Sequence, residues 1–437
     1  MLEVHRTHRA KIRNHPRVAE SLDRHGWSAS KLWNVANYHS RQVWEETGEI
    51  PDHKELKNEL KTHPKYKGLH SQSSQRVLEE LAEAFNSWYS SDDDRDNPPG
   101  YRKKNYYDQQ GRRVHEEHPR STVTWKQNGI KHDTKNNRVR LSKGANHKEH
   151  PKAWEYILVE YKTRPGVTVE NLQQVRAVYD QQKERWELHL VCKDEIETPT
   201  APGNGTAGID LGISNFVAVA YSTEDADLYP GNRLKQDGYY FPKEIAKCND
   251  SGGDRATRLH HKWAERRTHF FHALAKHIVK RCVEKGVGRI NVGDLEGVRE
   301  DENDESKNWG KHGNLDLHGW AFNRFTNILD YKAKVEGIEV VEVNESDTSR
   351  TCSECGRKED SQRVERGLYV CEECDAAFNA DVNGAENIRL NINESNSESA
   401  SSLDEDRSTG WLAQPGVYLH DLSRGFQPRA EVVDCKP

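Results

Sequence analysis

Four cysteines arranged as two Cys-x-x-Cys pairs constrain this chain more than any other feature. Cys352 and Cys355 form the first pair, and Cys371 and Cys374 form the second after fifteen intervening residues. Two such pairs at this separation supply the four thiolates that bind one tetrahedral Zn²⁺. A four-thiolate site is closed to substrate, so it stabilises a small fold and performs no chemistry. We therefore predict a structural zinc ribbon over residues 351–376.

The composition predicts a polar protein of several domains. The 437 residues exceed one ordinary core, and charged residues make up 31% of the chain against 33% hydrophobic residues. No apolar run approaches the roughly 20 residues of a membrane-spanning helix, and the N-terminus lacks a signal-peptide pattern. We expect no membrane partner, a cytoplasmic location and reduced thiols outside the two pairs.

The net charge of -6 does not by itself favour a nucleic-acid partner. Acidic residues are concentrated in short runs, at 90–94, 300–305 and 404–406, whereas basic residues cluster elsewhere. The distribution of charge therefore matters more than its sum. Acid-rich loops and few large aliphatic residues also indicate a salt-adapted, halophile-like proteome.

The first 200 residues predict an α+β N-terminal module. Apolar residues at helical spacing extend over the first 90 or so residues, which places a helical part at about 20–95. The remainder is β-rich, and together the two parts predict a small β-barrel-like unit with a helical insert. Its strand candidates are 121–125, 138–141, 175–179 and 186–192. A turn-rich segment at 198–205 marks the boundary to the next domain.

The second half alternates strands and helices, which predicts a partly parallel α/β sheet. Its strand candidates are 206–212, 216–221, 289–292 and 338–343, and its helix candidates are 255–285 and 317–335. We assign this domain to residues 201–350 and 377–392, with the zinc ribbon inserted between them. Residues 393–437 form an acidic, Ser-rich linker and a C-terminal tail, to which we assign no function.

Two aspartates flank the ribbon in sequence and indicate a second type of metal site. Asp210 alone could be a turn residue, and Asp381 alone could be an acid that satisfies N–H groups at a helix start. Together, carboxylates at the edge of an α/β sheet bind divalent cations, and two such ions can hydrolyse a phosphodiester. We expect this second site to hold Mg²⁺.

Two groups of basic residues are candidates for phosphate contacts. Arg258, Lys262 and Arg266 recur every four residues on one predicted helix, although a solvated helix face has the same pattern. Arg102, Lys103 and Lys104 alternate with tyrosines, as base stacking combined with phosphate binding requires. A flexible charged loop would look the same.

Taken together, the motifs of the second half resemble the TnpB (OrfB) family of insertion-sequence proteins, which is related to the type V CRISPR effectors. The resemblance spans about residues 205–390 and implies an RNase H-like (RuvC) nuclease fold. It also implies a guide RNA from the element's end, a double-stranded DNA target and an N-terminal module that reads a short motif beside that target. The motifs are Gly208-Ile-Asp-Leu-Gly212, Val292-Gly-Asp-Leu-Glu-Gly-Val-Arg299, Thr348-Ser-Arg-Thr-Cys-Ser-Glu-Cys-Gly356, Cys371-x-x-Cys374 and Asn379-Ala-Asp-Val-Asn-Gly-Ala-Glu-Asn-Ile388.

One position departs from the family pattern, because Gly293 stands where the second catalytic acid is expected. Glu345 could replace that acid, Asp294 or Glu296 could do so, or the enzyme could be inactive. The strands at 289–292 and 338–343 are sequential, so we expect them to be parallel neighbours about 4.8 Å apart. This geometry favours Glu345, and the sequence resembles family members with a relocated catalytic glutamate.

The sequence thus predicts an RNA-guided, Mg²⁺-dependent DNA endonuclease encoded by an insertion sequence, with Asp210, Glu345 and Asp381 as its metal ligands. A catalytically inactive RNA-guided DNA-binding protein or repressor is the first alternative. A zinc-ribbon accessory protein that acts with a separate transposase is the second.

Overall fold

The computed structural model describes residues 2–90, 97–148, 154–197, 199–212, 215–248, 254–294, 322–359, 367–391 and 410–429. The chain divides into two compact units, Met1–Glu197 and Thr198–Pro437. The division falls at the turn-rich segment that begins at residue 198. Within the described ranges, no helix is long and apolar enough to cross a membrane.

The N-terminal unit is built on an antiparallel sheet of seven strands. Its hydrogen-bonded order is β4-β8-β9-β1-β7-β6-β5, while β2 and β3 form a separate hairpin. The two outermost strands, β4 and β5, are joined by only three residues, so the sheet curls until its edges approach each other. The strands are β1 (Leu2–Ile12), β2 (Lys104–Tyr107), β3 (Arg113–Glu117), β4 (Val123–Lys126), β5 (Ile130–Asp133), β6 (Arg138–Ser142), β7 (Tyr156–Lys162), β8 (Leu172–Asp180) and β9 (Arg185–Ile196).

The unit contains three helices, of which α1 (His15–Thr47) and α3 (Ser71–Tyr89) pack on the sheet, while α2 (His53–Leu60) packs against α1 and α3. Gly26 allows α1 to approach the sheet closely, because a Cβ at this position would lie 2.8 Å from Cη2 of Trp186. The expectation that helix begins near the N-terminus is wrong, since residues 2–12 form β1. This strand pairs with β9 over ten residues, from Leu2 opposite Ile196 to Lys11 opposite Glu187. Such distant pairing overrides local helical patterning.

The second unit is an α/β structure around a mixed sheet of seven strands, in the order β14-β13-β10-β11-β12-β17-β18. Strand β10 is parallel to β13, β13 is parallel to β14, and β10, β11 and β12 run antiparallel in sequence. This arrangement corresponds to the RNase H-like sheet that the resemblance implies. The strands are β10 (Gly205–Asp210), β11 (Asn215–Tyr221), β12 (Asp225–Pro230), β13 (Val287–Asp294), β14 (Glu339–Asn344), β15 (Leu368–Cys371), β16 (Ala376–Asn379), β17 (Gly416–Asp421) and β18 (Gly425–Pro428).

Helices cover both faces of this sheet. They are α4 (Asn232–Ala246), α5 (Asp254–Glu284), α6 (Phe322–Val335), α7 (Ala380–Leu390) and α8 (Gly410–Ala413). On one face, Phe216 stacks on Phe271 of α5 and Phe322 of α6, each at 5.4 Å between ring centroids. On the other face, alternate residues of β11 pack with α7. Gly208 permits this approach, because a Cβ there would lie 2.0 Å from the Ala385 carbonyl oxygen.

The C-terminal region differs from the predicted linker and tail. Residues 393–409 lie outside the described part, but α8, β17 and β18 are folded elements of the second unit. Strand β17 pairs in parallel with β12, and Phe426 of β18 is only 5% exposed. Sequence patterning missed these strands because they are short and their partner lies about 190 residues upstream. It also missed β12 and α4.

Candidate metal centres

The four cysteines of the ribbon form a closed cluster. Their sulfur atoms all lie within 4.8 Å of one another. The Sγ atoms of Cys352 and Cys374 are 3.8 Å apart, and those of Cys355 and Cys371 are 3.6 Å apart. A tetrahedral zinc with Zn–S bonds of about 2.3 Å places its sulfurs about 3.8 Å apart. The donor set and its spacing therefore fit Zn²⁺.

Local turns and one hairpin bring these cysteines together. In the first pair, the Gly356 amide donates to the Cys352 carbonyl, with Gly356 in the left-handed region at a φ of 72°. In the second, Cys371 ends β15 and pairs with Ala376 of β16. Burial raises the pKa of the Cys352 thiol to about 12. Binding of a divalent cation would release such protons, which makes zinc affinity and ribbon folding linked processes.

Asp210 lies at the end of the central strand β10, against helix α7. A Cβ at Gly384 of α7 would be 3.0 Å from the Asp210 Oδ2 atom, so the carboxylate occupies the space above this glycine. Asp381 lies three residues earlier on the same helix. Side chains at this separation on a helix have Cβ atoms about 5–6 Å apart. The fold therefore brings Asp210 and Asp381 together, although 171 positions separate them in sequence.

The first turn of α7 orients Asp381. The Asn379 side chain caps the helix by accepting hydrogen bonds from the amides of Asp381 and Val382, at 3.1 and 3.2 Å. The Asn215 side-chain amide, at the start of β11, donates to Asp381 Oδ2 at 2.8 Å. Sequence reasoning missed Asn215. Its only signal was a polar amide at the strand start directly after the Asp210 motif.

Glu345 lies beside the position that lacks an acid. Strands β13 and β14 pair in parallel with Gly293 opposite Val343, and Glu345 directly follows β14. A Cβ built at Gly293 would lie 2.6 Å from the Glu345 Oε2 atom. The carboxylate of Glu345 thus occupies the space where a side chain at position 293 would begin.

Position 293 also neighbours Asp210, which lies on the adjacent strand β10. Strands β10 and β13 are parallel, with Ile209 opposite Val292, so Asp210 and Gly293 are the next residues in this register. Adjacent strands lie about 4.8 Å apart. The structure therefore brings Glu345, Asp210 and Asp381 to the carboxyl ends of β10, β13 and β14, where α7 packs.

The electrostatics of this edge favour a cation. Burial and, to a smaller extent, the negative charge of the neighbouring Asp294 together raise the pKa of Glu345 to about 7. A bound divalent ion would reverse both effects. Of the alternative acids, Asp294 is half-buried at the end of β13, and Glu296 lies outside the described residues.

The three carboxylates are less tightly grouped than the cysteines. Among the described residues, the four cysteines form the cluster of potential ligands that closes within 4.8 Å, and the carboxylates do not. Metal ions in two-metal hydrolytic sites are about 3.5–4 Å apart, so their ligands spread over a wider area.

The basic residues of α5 have two different roles. Arg258 and Lys262 are exposed. Arg266 instead forms an ion pair with the buried Asp237 of α4, with N–O distances of 2.7 Å. The predicted stripe of three phosphate-binding residues therefore needs correction, because Arg266 attaches α4 to α5. The sequence did not show this partner because α4 was not predicted.

The basic–aromatic run in the N-terminal unit lines a cleft of about 860 Å³. Arg102 stacks on Trp33, with its guanidinium carbon 3.6 Å from the ring centroid, and Lys103 pairs with Glu116 at 3.1 Å. Lys104 is exposed beside Tyr106. Aromatic and basic side chains thus share one concave surface, which is the combination that single-stranded nucleic acids require.

Comparisons with known proteins match two parts of this chain to known families. Residues 179–299 match the family described as a probable transposase, OrfB of IS605, and residues 322–388 match the Cas12f1-like TNB domain. The second match spans α6, β14, the ribbon and most of α7. It therefore contains Glu345, the four cysteines and Asp381.

Individual relatives of this chain are TnpB-like and Cas12f1 proteins. A TnpB-like protein of Acidianus two-tailed virus is 25% identical over 82% of this chain and 80% of its own length. The CRISPR-associated endodeoxyribonuclease Cas12f1 of Sulfoacidibacillus thermotolerans is 27% identical, but the alignment spans only 49% of this chain and 52% of that protein. The cryo-EM structure of a Cas12f1–sgRNA–target DNA complex has a TM-score of 0.56 at 15% identity, covering 85% of this chain and 82% of that one. This likeness shows a shared fold.

Proposed function

Since this chain is a relative of the TnpB (OrfB) family, we propose that it is an RNA-guided, Mg²⁺-dependent DNA endonuclease associated with an insertion sequence. The observation that carries the proposal is the position of Glu345. Its Oε2 atom lies 2.6 Å from the Cβ position of Gly293, next to Asp210 in the sheet register. A site that lacks one acid in the linear motif thus has an acid in the corresponding space.

In this proposal Asp210, Glu345 and Asp381 hold Mg²⁺. When bound, the metal supplies an activated water and neutralises the charge that develops on a phosphodiester. Asn215 fixes the direction in which the Asp381 carboxylate points. Because the pKa of Glu345 is raised to about 7, this carboxyl still has to lose a proton near neutral pH before it can act as a ligand. The zinc ribbon takes no part in the chemistry.

The partners we propose are a guide RNA and a double-stranded DNA target. The exposed Arg258 and Lys262 on α5 and the cleft beside Lys104 offer phosphate and base contacts in the two units. The names of the viral and bacterial relatives, a TnpB-like protein and an endodeoxyribonuclease, support the same assignment.

The test is co-expression with the flanking element sequence, purification of the complex and a Mg²⁺-dependent cleavage assay on guide-matched DNA. We expect cleavage by the wild type and its loss in Asp210→Ala and Glu345→Ala. Glu296→Ala is the matched control and should still cleave. Bound RNA without cleavage by the wild type, across a range of salt, would instead establish a guided DNA-binding protein. Protein that purifies without RNA would indicate a transposase accessory factor.

A further inference from the structure

The segment between Glu345 and the zinc ribbon is attached to α7 by two asparagine side chains. Asn387 donates from Nδ2 to the carbonyl oxygens of Thr348 and Thr351, both at 2.7 Å. Asn383 donates to the same Thr351 carbonyl at 2.8 Å and accepts from the Ser353 amide at 2.9 Å. We call these four hydrogen bonds the amide clamp.

The clamp is fully enclosed. Asn383 and Asn387 are 0% and 1% exposed. Asparagine is a poor residue for a helix interior, and a buried amide needs partners with good geometry. The Asn387 Oδ1 atom has no hydrogen-bond partner among the described residues, so this side chain acts as a donor to the segment. An apolar residue of similar volume would leave the Thr348 and Thr351 carbonyl oxygens without these donors, so the amide fixes the segment through directional bonds as well as through packing.

The clamp reaches Glu345 through one further residue. Both the amide and the hydroxyl of Thr348 donate to the Glu345 carbonyl oxygen, at 3.1 and 2.8 Å. Asn387 therefore holds Thr348, and Thr348 holds the backbone of Glu345. Between them, Asp347 has a φ of 63°, in the left-handed region that non-glycine residues seldom adopt.

Helix α7 also carries Asp381, two turns before Asn387. A carboxylate located within a strand is fixed by the sheet, whereas Glu345 lies beyond the end of β14 and lacks that support. Metal ligands must be held within about 0.5 Å of their working geometry by supporting residues. The amide clamp supplies this support from the same helix that positions Asp381.

We propose that Asn387 is a positioning residue, which acts through Thr348 to hold the relocated Glu345 in register with Asp210 and Asp381. This inference rests on the proposed metal-binding role of those three acids. It predicts that loss of the clamp weakens binding of divalent metal to the nuclease site while the fold and the zinc site persist.

The test uses the zinc-loaded full chain with its guide RNA. Mn²⁺ binding, measured by electron paramagnetic resonance, reports on the site without catalysis, and the Mg²⁺ concentration at half-maximal cleavage reports on the active enzyme. Asn387→Leu removes both donated bonds. Thr348→Val is the milder second variant, since it removes only the hydroxyl bond to Glu345. Asn37→Leu is the matched control, because Asn37 is equally buried and donates to the Pro99 carbonyl in the N-terminal unit.

We expect Asn387→Leu to weaken Mn²⁺ binding about tenfold or more and to raise the Mg²⁺ midpoint similarly, with cleavage partly restored at high Mg²⁺. Thr348→Val should shift both values by a smaller amount, and Asn37→Leu should shift neither. A lower melting temperature with unchanged metal midpoints would overturn the proposal and leave the clamp a structural feature. If the wild type binds Mn²⁺ but never cleaves, the positioning role is still decided by Mn²⁺ binding, while the endonuclease assignment fails. Absence of Mn²⁺ binding in the wild type would overturn both.

Discussion

Glu345 and Gly293 are spatially complementary: the carboxylate of the glutamate occupies the volume that any side chain at the glycine would need. The Oε2 atom is 2.6 Å from the Cβ position of residue 293, and the Ile388 Cδ1 atom is 2.9 Å from it. An acid supplied from β13 and an acid supplied from the segment after β14 are therefore mutually exclusive. This relationship explains how the proposed nuclease site can lack its strand acid and still present three carboxylates.

The first prediction exchanges the two positions. Gly293→Glu alone should lower the single-turnover cleavage rate at least tenfold, because the new side chain collides with Glu345. The double variant Gly293→Glu with Glu345→Ala removes the collision and returns the acid to β13, so it should recover part of that rate. A double variant no faster than Gly293→Glu would show that the two positions are not interchangeable.

The second prediction concerns pH. A carboxyl whose pKa is raised from 4.5 to about 7 binds its proton more tightly in the folded state than in the unfolded state. The contribution of Glu345 to the free energy of unfolding of the metal-free protein, taken as the difference between wild type and Glu345→Gln, should therefore fall as pH rises from about 4.5 through about 7. Mn²⁺ affinity should change in the opposite direction and rise over the same range, since the proton competes with the metal. Denaturant titrations of wild type and Glu345→Gln at several pH values measure the first quantity, and Mn²⁺ binding at the same pH values measures the second, whose pH dependence should be weaker in Glu345→Gln.

The third prediction tests the orientation of Asp381. Asn215→Ala removes the 2.8 Å hydrogen bond to the Asp381 carboxylate, and loss of such a supporting bond typically costs 10–100-fold in activity or metal affinity. We expect a reduction of that size in cleavage at limiting Mg²⁺, with guide and target binding unchanged. Asn215→Asp should be at least as impaired, because it places a second carboxylate against the first. Normal cleavage in both variants would remove Asn215 from the site.

The fourth prediction concerns zinc. The purified protein should contain one zinc per chain, released by a strong chelator with a large loss of thermal stability in the second unit. Cys371→Ser should lower the zinc content and the melting temperature. Cys248→Ser is the control, since Cys248 is a free thiol in a different part of that unit. Full zinc content in Cys371→Ser would contradict the four-cysteine site.

The fifth prediction concerns a buried ion pair between α5 and strand β12. Arg281 of α5 donates two hydrogen bonds to Asp227, at 2.9 and 3.1 Å, and Asp227 is 2% exposed. Arg281→Ala should destabilise the second unit by about 3 kcal/mol, because it leaves a buried charge uncompensated. The neighbouring Lys280 pairs with Glu284 in solvent, so Lys280→Ala should lower the free energy of unfolding by less than about 1 kcal/mol. Chemical denaturation distinguishes the two, and equal effects would contradict the argument.

The parts of the fold and site that sequence could predict are those determined by local or sequential relationships. The cysteine pairs are recognisable because the ligands are close in sequence. The parallel pairing of β13 with β14 could be predicted because a single helix connects the two strands. The placement of Glu345 near position 293 could be argued from that neighbourhood alone. The contact between the Glu345 carboxylate and Gly293 could not be predicted, since it depends on the exact register of the two strands.

Other features depended on partners far away in sequence. Strand β1 was not predicted, because its partner β9 lies at the other end of the unit and local patterning does not show that pairing. Arg266 looked available to phosphate because Asp237 is on a helix that patterning did not indicate. The hydrogen bond from Asn215 to Asp381 and the amide clamp join residues that are distant in sequence, and only tertiary structure brings them together.

The order of the three carboxylates along the chain has a consequence for synthesis. Asp210 belongs to the first strand of the second unit, but α7, which carries Asp381, follows the zinc ribbon. A chain still on the ribosome has neither the third carboxylate nor the asparagines that hold Glu345 until the ribbon has been translated. If the proposed function is correct, the endonuclease stays inert while it is nascent, and it can acquire cutting activity only after α7 has emerged.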